Sequence, residues 1–258
     1  MNSFNLIIIM LICIIIGSGI IVEGTKDSNN INAAFDSVIT FKGIEDVTIK
    51  LTGYEKTPYG NFLVLSNNAE EFWVNEDNLE VERYSSYFNY SNSNIIKLTN
   101  EEAYEIAQKF VQKDISTNGN KQYQLIINKL NDGGDVCEYE YQWRDYTNNI
   151  EGPSLIDICI NPSDGNIMSY VGINRDIIIP IDYSIASQNA ESLAIQQFDS
   201  IEVQKISSYL KIGYDEEGYQ KLFWVITVHC KPENYQMQGG IVHIDAKSGE
   251  ILRIYRWK

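Results

Sequence analysis

An α+β fold is predicted, built from tandem units in which a helix packs on an antiparallel sheet, preceded by a strand-rich segment and an N-terminal transmembrane anchor. Three observations carry this. Short runs of alternating apolar and polar residues recur between Gly, Pro and Asn turns, and two segments place apolar residues at helical spacing. A helix-then-strands pattern also returns after about 85 residues: Ala103 and Ala107 match Ala190 and Ala194, and Asn161-Pro-Ser-Asp-Gly165 matches Asp245-Ala-Lys-Ser-Gly249.

The first element is the uncharged run Leu6–Val22. It is 17 residues long, near the lower limit for crossing a hydrocarbon core. Gly17-Ser18-Gly19 offers small residues for cleavage, but Ile20, Ile21 and Val22 continue the run past them. Residues 1–23 therefore read as an uncleaved anchor, with a cleaved signal segment as the alternative. Either way the remainder is expected outside the cytoplasm: a single-pass membrane protein with an extracytoplasmic bulk, or a secreted one if cleaved. Residues 24–37 read as a polar tether.

Residues 38–94 form the strand-rich segment, with strands expected over Val38–Phe41, Val47–Leu51, Asn61–Leu65, Glu71–Asn75 and Leu79–Tyr84. Trp73-Val-Asn75-Glu-Asp77-Asn-Leu79 resembles the closing hairpins of the repeats, with no helix expected before it. The first repeat spans 95–180. Thr99 caps a helix, Glu102 completes the capping box, and Ala103, Ile106, Ala107 and Phe110 make its apolar stripe. Strands follow near Tyr123–Lys129, Val136–Trp143, Leu155–Ile160 and Ile167–Val171. The second repeat spans 181–258, with a helix from Ser187 and strands near Lys205–Tyr214, Lys221–Cys230, Gly240–Asp245 and Ile251–Arg256.

Composition narrows the function. The chain of 258 residues carries 20 Lys+Arg against 35 Asp+Glu, a net charge of −15, so a nucleic-acid partner is not expected. No His-Glu-x-x-His, no nucleophile elbow outside the N-terminal run and no glycine-rich phosphate loop occurs. The two histidines fall on one face of a hairpin. If its pairing is centred between Lys231 and Gly240, His229 faces His243, Thr227 faces Asp245 and Val228 faces Ile244. Two readings stay open for the imidazoles: a metal-holding pair beside Asp245, or a cross-strand polar pair. No metal or cofactor is assigned. Cys137 and Cys159 are expected on opposite sides of their hairpin, and with Cys230 to be buried, inert thiols. Asn89-Tyr90-Ser91 is a glycosylation sequon. The tyrosines, among them Tyr84, Tyr87, Tyr90, Tyr139, Tyr141 and Tyr146, suit core packing or a docking face.

Leu98-Thr-Asn-Glu-Glu-Ala103-Tyr-Glu-Ile-Ala107 and Val242-His-Ile-Asp245-Ala-Lys-Ser-Gly249-Glu-Ile251 resemble the PepSY domain. The stretch from Trp143-Arg-Asp through Gly152-Pro to Asn161-Pro-Ser-Asp-Gly165 is similar to repeats of YcdB/YcdC-type secreted proteins. The resemblance covers roughly residues 95–258. It implies a non-catalytic binding or inhibitory module whose partner is an extracytoplasmic protein or peptide, a peptidase being one candidate, with membrane attachment through the anchor. The alternative function is an envelope structural or adhesion protein with the repeats as spacers. No enzyme activity and no catalytic residue is expected.

Overall fold

The computed structural model describes residues 28–43, 48–87, 95–117, 121–132, 136–198, 202–233 and 236–257. In chain order, helix α1 (Ser28–Lys42) precedes strands β1 (Lys50–Thr57), β2 (Gly60–Ser66), β3 (Glu70–Asn75) and β4 (Val81–Ser86). Helix α2 (Asn100–Thr117) precedes β5 (Tyr123–Asn131), β6 (Glu138–Thr147), β7 (Ile150–Ile160) and β8 (Ile167–Ile173). Helix α3 (Ser187–Ile195), extended by a 3-10 turn over Gln196–Phe198, precedes β9 (Val203–Tyr214), β10 (Gln220–Glu233), β11 (Gln236–Asp245) and β12 (Ile251–Trp257).

Separate helix-on-sheet repeats behind an anchor are not what forms. All twelve strands belong to one mixed sheet. Antiparallel pairing of Arg83, Tyr84 and Ser85 with Val171, Tyr170 and Ser169 joins β4 to β8. A parallel contact of Glu151 with Lys211 joins β7 to β9. Strand β7 is thus a trunk, with β6 along one edge and β8, then β9, along the other. The physical reason is that β4 and β8 each carry an apolar row that an isolated meander would leave at a bare edge; side by side, Tyr84, Tyr170 and Ile158 continue one buried surface.

The N-terminal stretch is the second correction. Where a tether over 24–37 and a strand over Val38–Phe41 were expected, the chain is helical from Ser28. Ala34 and Val38 stand one turn apart, fully buried against the sheet. The β-branched run Val38-Ile39-Thr40 favours a strand locally, and burial of the stripe outweighs that weak preference.

The third correction concerns the membrane. No helix among the described residues is long and apolar enough to cross one. The expected anchor lies outside the described residues, as does the sequon at Asn89. The described residues hold neither the expected transmembrane helix nor a signal anchor, and nothing in them supports the single-pass location.

Helix α2 starts as expected: the Thr99 amide donates to Glu102 Oε2 (2.8 Å), and the Glu102 amide to Thr99 Oγ1 (3.2 Å). Helices α1 and α2 share one core with β2–β8, in which Phe41 meets the rings of Phe72, Tyr84, Phe110 and Tyr170 at centroid distances of 5.4–6.2 Å. A second core lies under α3, around Trp224, Ile226, Val242 and Ile244.

Candidate functional site

In each group of four strands the same turn joins the third strand to the fourth. Asn75 Oδ1 accepts the amide of Asp77 (2.8 Å), Asn161 Oδ1 that of Ser163 (2.8 Å), and Asp245 Oδ1 those of Lys247 and Ser248 (2.9 and 2.8 Å). Four residues on, the amides of Leu79, Gly165 and Gly249 donate back to the first carbonyl at 2.9–3.0 Å. All three residues have positive φ, +59°, +77° and +77°. Glycine adopts that conformation freely; Leu79 holds it against its own Cβ.

In two of the three cases apolar side chains seal the turn against the helix. A Cβ at Gly165 would lie 2.7 Å from Ile106 Cδ1 and 3.4 Å from Leu98 Cδ1; one at Gly249 would lie 3.5 Å from Ile185 and Leu193. Ile106 and Leu193 each follow, by three residues, the first buried alanine of their helix, Ala103 and Ala190. In α1 the buried alanine is Ala34, and the third residue after it is Ser37, whose hydroxyl donates to Ala33 O (2.9 Å). The seal is missing, and a cleft of about 400 Å³ opens there.

Phe41, Ile156 and Tyr170 are among the apolar walls of the cleft, while Asp36, Thr40, Glu80 and Asn174 are among its polar lining. Gly172 makes one wall possible. A Cβ on it would fall 1.8 Å from Tyr170 Oη, so only glycine lets that ring lie across the strand. No lysine or arginine lines the cleft. Lys42 turns to Glu70 and the Tyr84 ring, and Lys121 to Asn174, the Arg175 carbonyl and Asp176.

Beside the cleft, Arg175 ties the sheet together. Its guanidinium donates to both oxygens of Glu82 (2.7 and 2.9 Å) and to Tyr59 O (2.7 Å), and its amide donates to Ser154 Oγ (2.9 Å). Burial pushes the Glu82 carboxyl above the usual range, and Arg175 pulls it back only in part. On the sheet face away from α2 and α3, Arg144 pairs with Asp157 and Lys211 with Glu151, two further buried ion pairs.

The histidines are not brought together. His243 pairs with Val225 and His229 with Gly239; Thr227 pairs with Ile241, Asp245 with Phe223, and Val228 with Gly240. Residues expected to form the connection are themselves strand, up to Glu233 opposite Gln236, which moves the partner of His229 four residues back, from His243 to Gly239, and preserves the faces. His243 lies against Phe223 (4.8 Å) and Tyr255 (5.5 Å); burial, then Lys211 and Arg253, hold its pKa down at about 4. Among the described residues no group of His, Cys, Asp and Glu is placed to hold a metal. Among the described residues Cys137, Cys159 and Cys230 form no disulfide, and burial raises all three thiols. Tyr84, Tyr139 and Tyr141 are core residues; the hydroxyls of the last two donate to Leu98 O (2.7 Å) and Asn100 Oδ1 (2.8 Å), fixing the start of α2. Tyr146 is half-buried, Tyr87 is exposed, and Tyr90 lies outside the described residues. Sequence reasoning missed Tyr123 and Tyr170, which line the cleft. The signal available was Ser37 at the position that is Ile or Leu in the other helices.

No protein-family model matches the chain. No curated protein matches it either. Among solved structures, the Bacillus megaterium YpeB C-terminal domain is similar, with a TM-score of 0.47 and 14% sequence identity, covering 91% of this chain and 100% of that one.

Proposed function

We propose that this chain is a non-catalytic, PepSY-like module that binds a protein or peptide partner, and that the cleft beside α1 receives part of that partner. One observation carries the reading: the helix-to-turn joint is sealed by apolar side chains at Gly165 and Gly249 and is open at Leu79. A gap with apolar walls and a polar lining is the usual form of a recognition pocket. The absence of catalysis is supported by what the best candidate groups do. The imidazoles lie apart, burial holds the pKa of His243 down at about 4, and Cys137 and Cys230 are buried. The PepSY-like character makes a peptidase the first partner to try, bound rather than assisted in cleavage.

Selection of a displayed peptide library on the purified protein tests this. Selected peptides are expected to shift the amide resonances of Thr40, Leu79 and Gly172, to be recovered uncut, and to lose at least tenfold in affinity on Ser37→Leu. That substitution restores the apolar residue present in the other two helices. Peptides that bind Ser37→Leu as tightly as the unaltered protein, or that are cleaved, would overturn the reading.

A further inference from the structure

We infer that the group seated in the cleft is a cationic side chain, a lysine or arginine of the partner; this rests on the binding-module reading above. Val81, Ile156 and Phe41 suit an aliphatic stem, which long basic side chains bury while keeping the charged head in a polar setting. The rings of Tyr123 and Tyr170 add aromatic surface, and a cation near such a face is attracted by its quadrupole.

Two carboxylates stand among the lining residues at separate places in the chain, Asp36 on α1 and Glu80 just before β4. Neither forms an ion pair with a lysine or arginine of this chain among the described residues. The Glu80 carboxylate accepts the side-chain amide of Asn78, at 3.1 Å. Among the described residues, Lys42, Lys121 and Arg175 are engaged with Glu70, Asp176 and Glu82, and none of them balances the two carboxylates. An acidic occupant would meet both carboxylates and the −15 charge of the chain. A purely apolar one would strip water from the carboxylates and return nothing. A basic side chain satisfies stem, ring and carboxylate together.

The test uses two blocked pentapeptides, Gly-Leu-Lys-Leu-Gly and the same sequence with norleucine at its centre, which keeps the stem and removes the charge. Each is titrated into the protein while the amides of Thr40, Leu79 and Gly172 are followed by NMR. The lysine peptide is expected to bind roughly tenfold more tightly. Its advantage should shrink when ionic strength rises from about 0.01 M to about 1 M, where the screening length falls from about 30 Å to about 3 Å. The double variant Asp36→Asn/Glu80→Gln, altered only at exposed positions, should melt as the parent does and lose the preference. Equal binding of both peptides at the cleft would overturn the cationic assignment and leave the binding-module reading in place. If neither peptide, nor any library-selected one, moves the cleft amides, both fail.

Discussion

The joint between helix and closing turn is built three times in this protein, and the first copy differs from the other two. At Gly165 and Gly249 the turn uses glycine for its positive φ, and two aliphatic side chains close over it. At Leu79 the backbone takes the same path without glycine, and the helix offers Ser37. The same turn thus serves as a sealed structural joint twice and as the lip of a cleft once. A cleft need not require a new fold element; withdrawing a methyl-bearing side chain from a repeated contact is enough, because nothing else fills the space. The first copy also keeps a strained residue, and strain retained at an open site is the pattern expected of a functional surface rather than a packing one.

The largest test of this contrast is at the tie that holds the first four strands in place. Arg175→Gln leaves Glu82 buried without its bidentate partner, and about 2–3 kcal/mol of unfolding free energy should be lost. The cost is at the lower end because Glu82, already raised by burial, can take up a proton. Hydrogen exchange should quicken in β1–β4 before β9–β12; uniform loosening would mean that Arg175 does not single out the first segment. Adding Glu82→Gln should recover part of the loss.

The two sealed joints can then be compared with each other. Gly165→Ala forces its new methyl against Ile106 as well as into an unfavourable φ, and should cost about 2 kcal/mol. Gly249→Ala meets Ile185 and Leu193 only at ordinary contact distance, and should cost about 1 kcal/mol. Equal costs in denaturant titrations would mean that the two seals do not differ in tightness.

The third segment has a pH response of its own. His243 is held near pKa 4 when folded, below its ordinary value of 6.5. As pH falls from 6.5 towards 4, the unfolded chain takes up a proton that the folded one refuses, so stability falls with acidification across that window and is unaffected above it. On the order of 2–3 kcal/mol should be lost there. His243→Gln should flatten this part of the curve, and a variant as acid-sensitive as the parent would remove His243 from the account.

The smallest effect is expected at Leu79. Leu79→Gly relieves the positive φ but frees the unfolded chain, for a net gain of roughly 0.5 kcal/mol. A clear loss in thermal melts would show that the Leu79 side chain packs as firmly as the seals of the other copies do.

Local chemistry was legible in the residues themselves. Thr99 with Glu102 marks a helix start, Asn161 to Gly165 and Asp245 to Gly249 mark turns, and the alternation of β6 sorts Tyr139, Tyr141 and Trp143 onto the face of the apolar core. These depend on contacts within a few residues, which sequence order already supplies. Helix α1 was not legible, since Val38-Ile39-Thr40 favours a strand until Ala34 and Val38 find a surface to bury against. The register that separates His229 from His243 was hidden for a related reason: it depends on where the hairpin reverses, and face alternation alone admits any shift by two.

Two matters belonged to the tertiary structure alone. The union of all twelve strands into one sheet depends on β4 meeting β8 and β7 meeting β9, pairings between edges distant in sequence that no local pattern encodes. The cleft depends on what is absent from a contact: Ser37 is an ordinary helix residue in sequence, and becomes a gap only once Leu79, Tyr170 and Gly172 are folded around it. Sequence by itself determined which segments could bury a face. Packing decided which faces met, because burial is settled between surfaces, and only the folded chain has them.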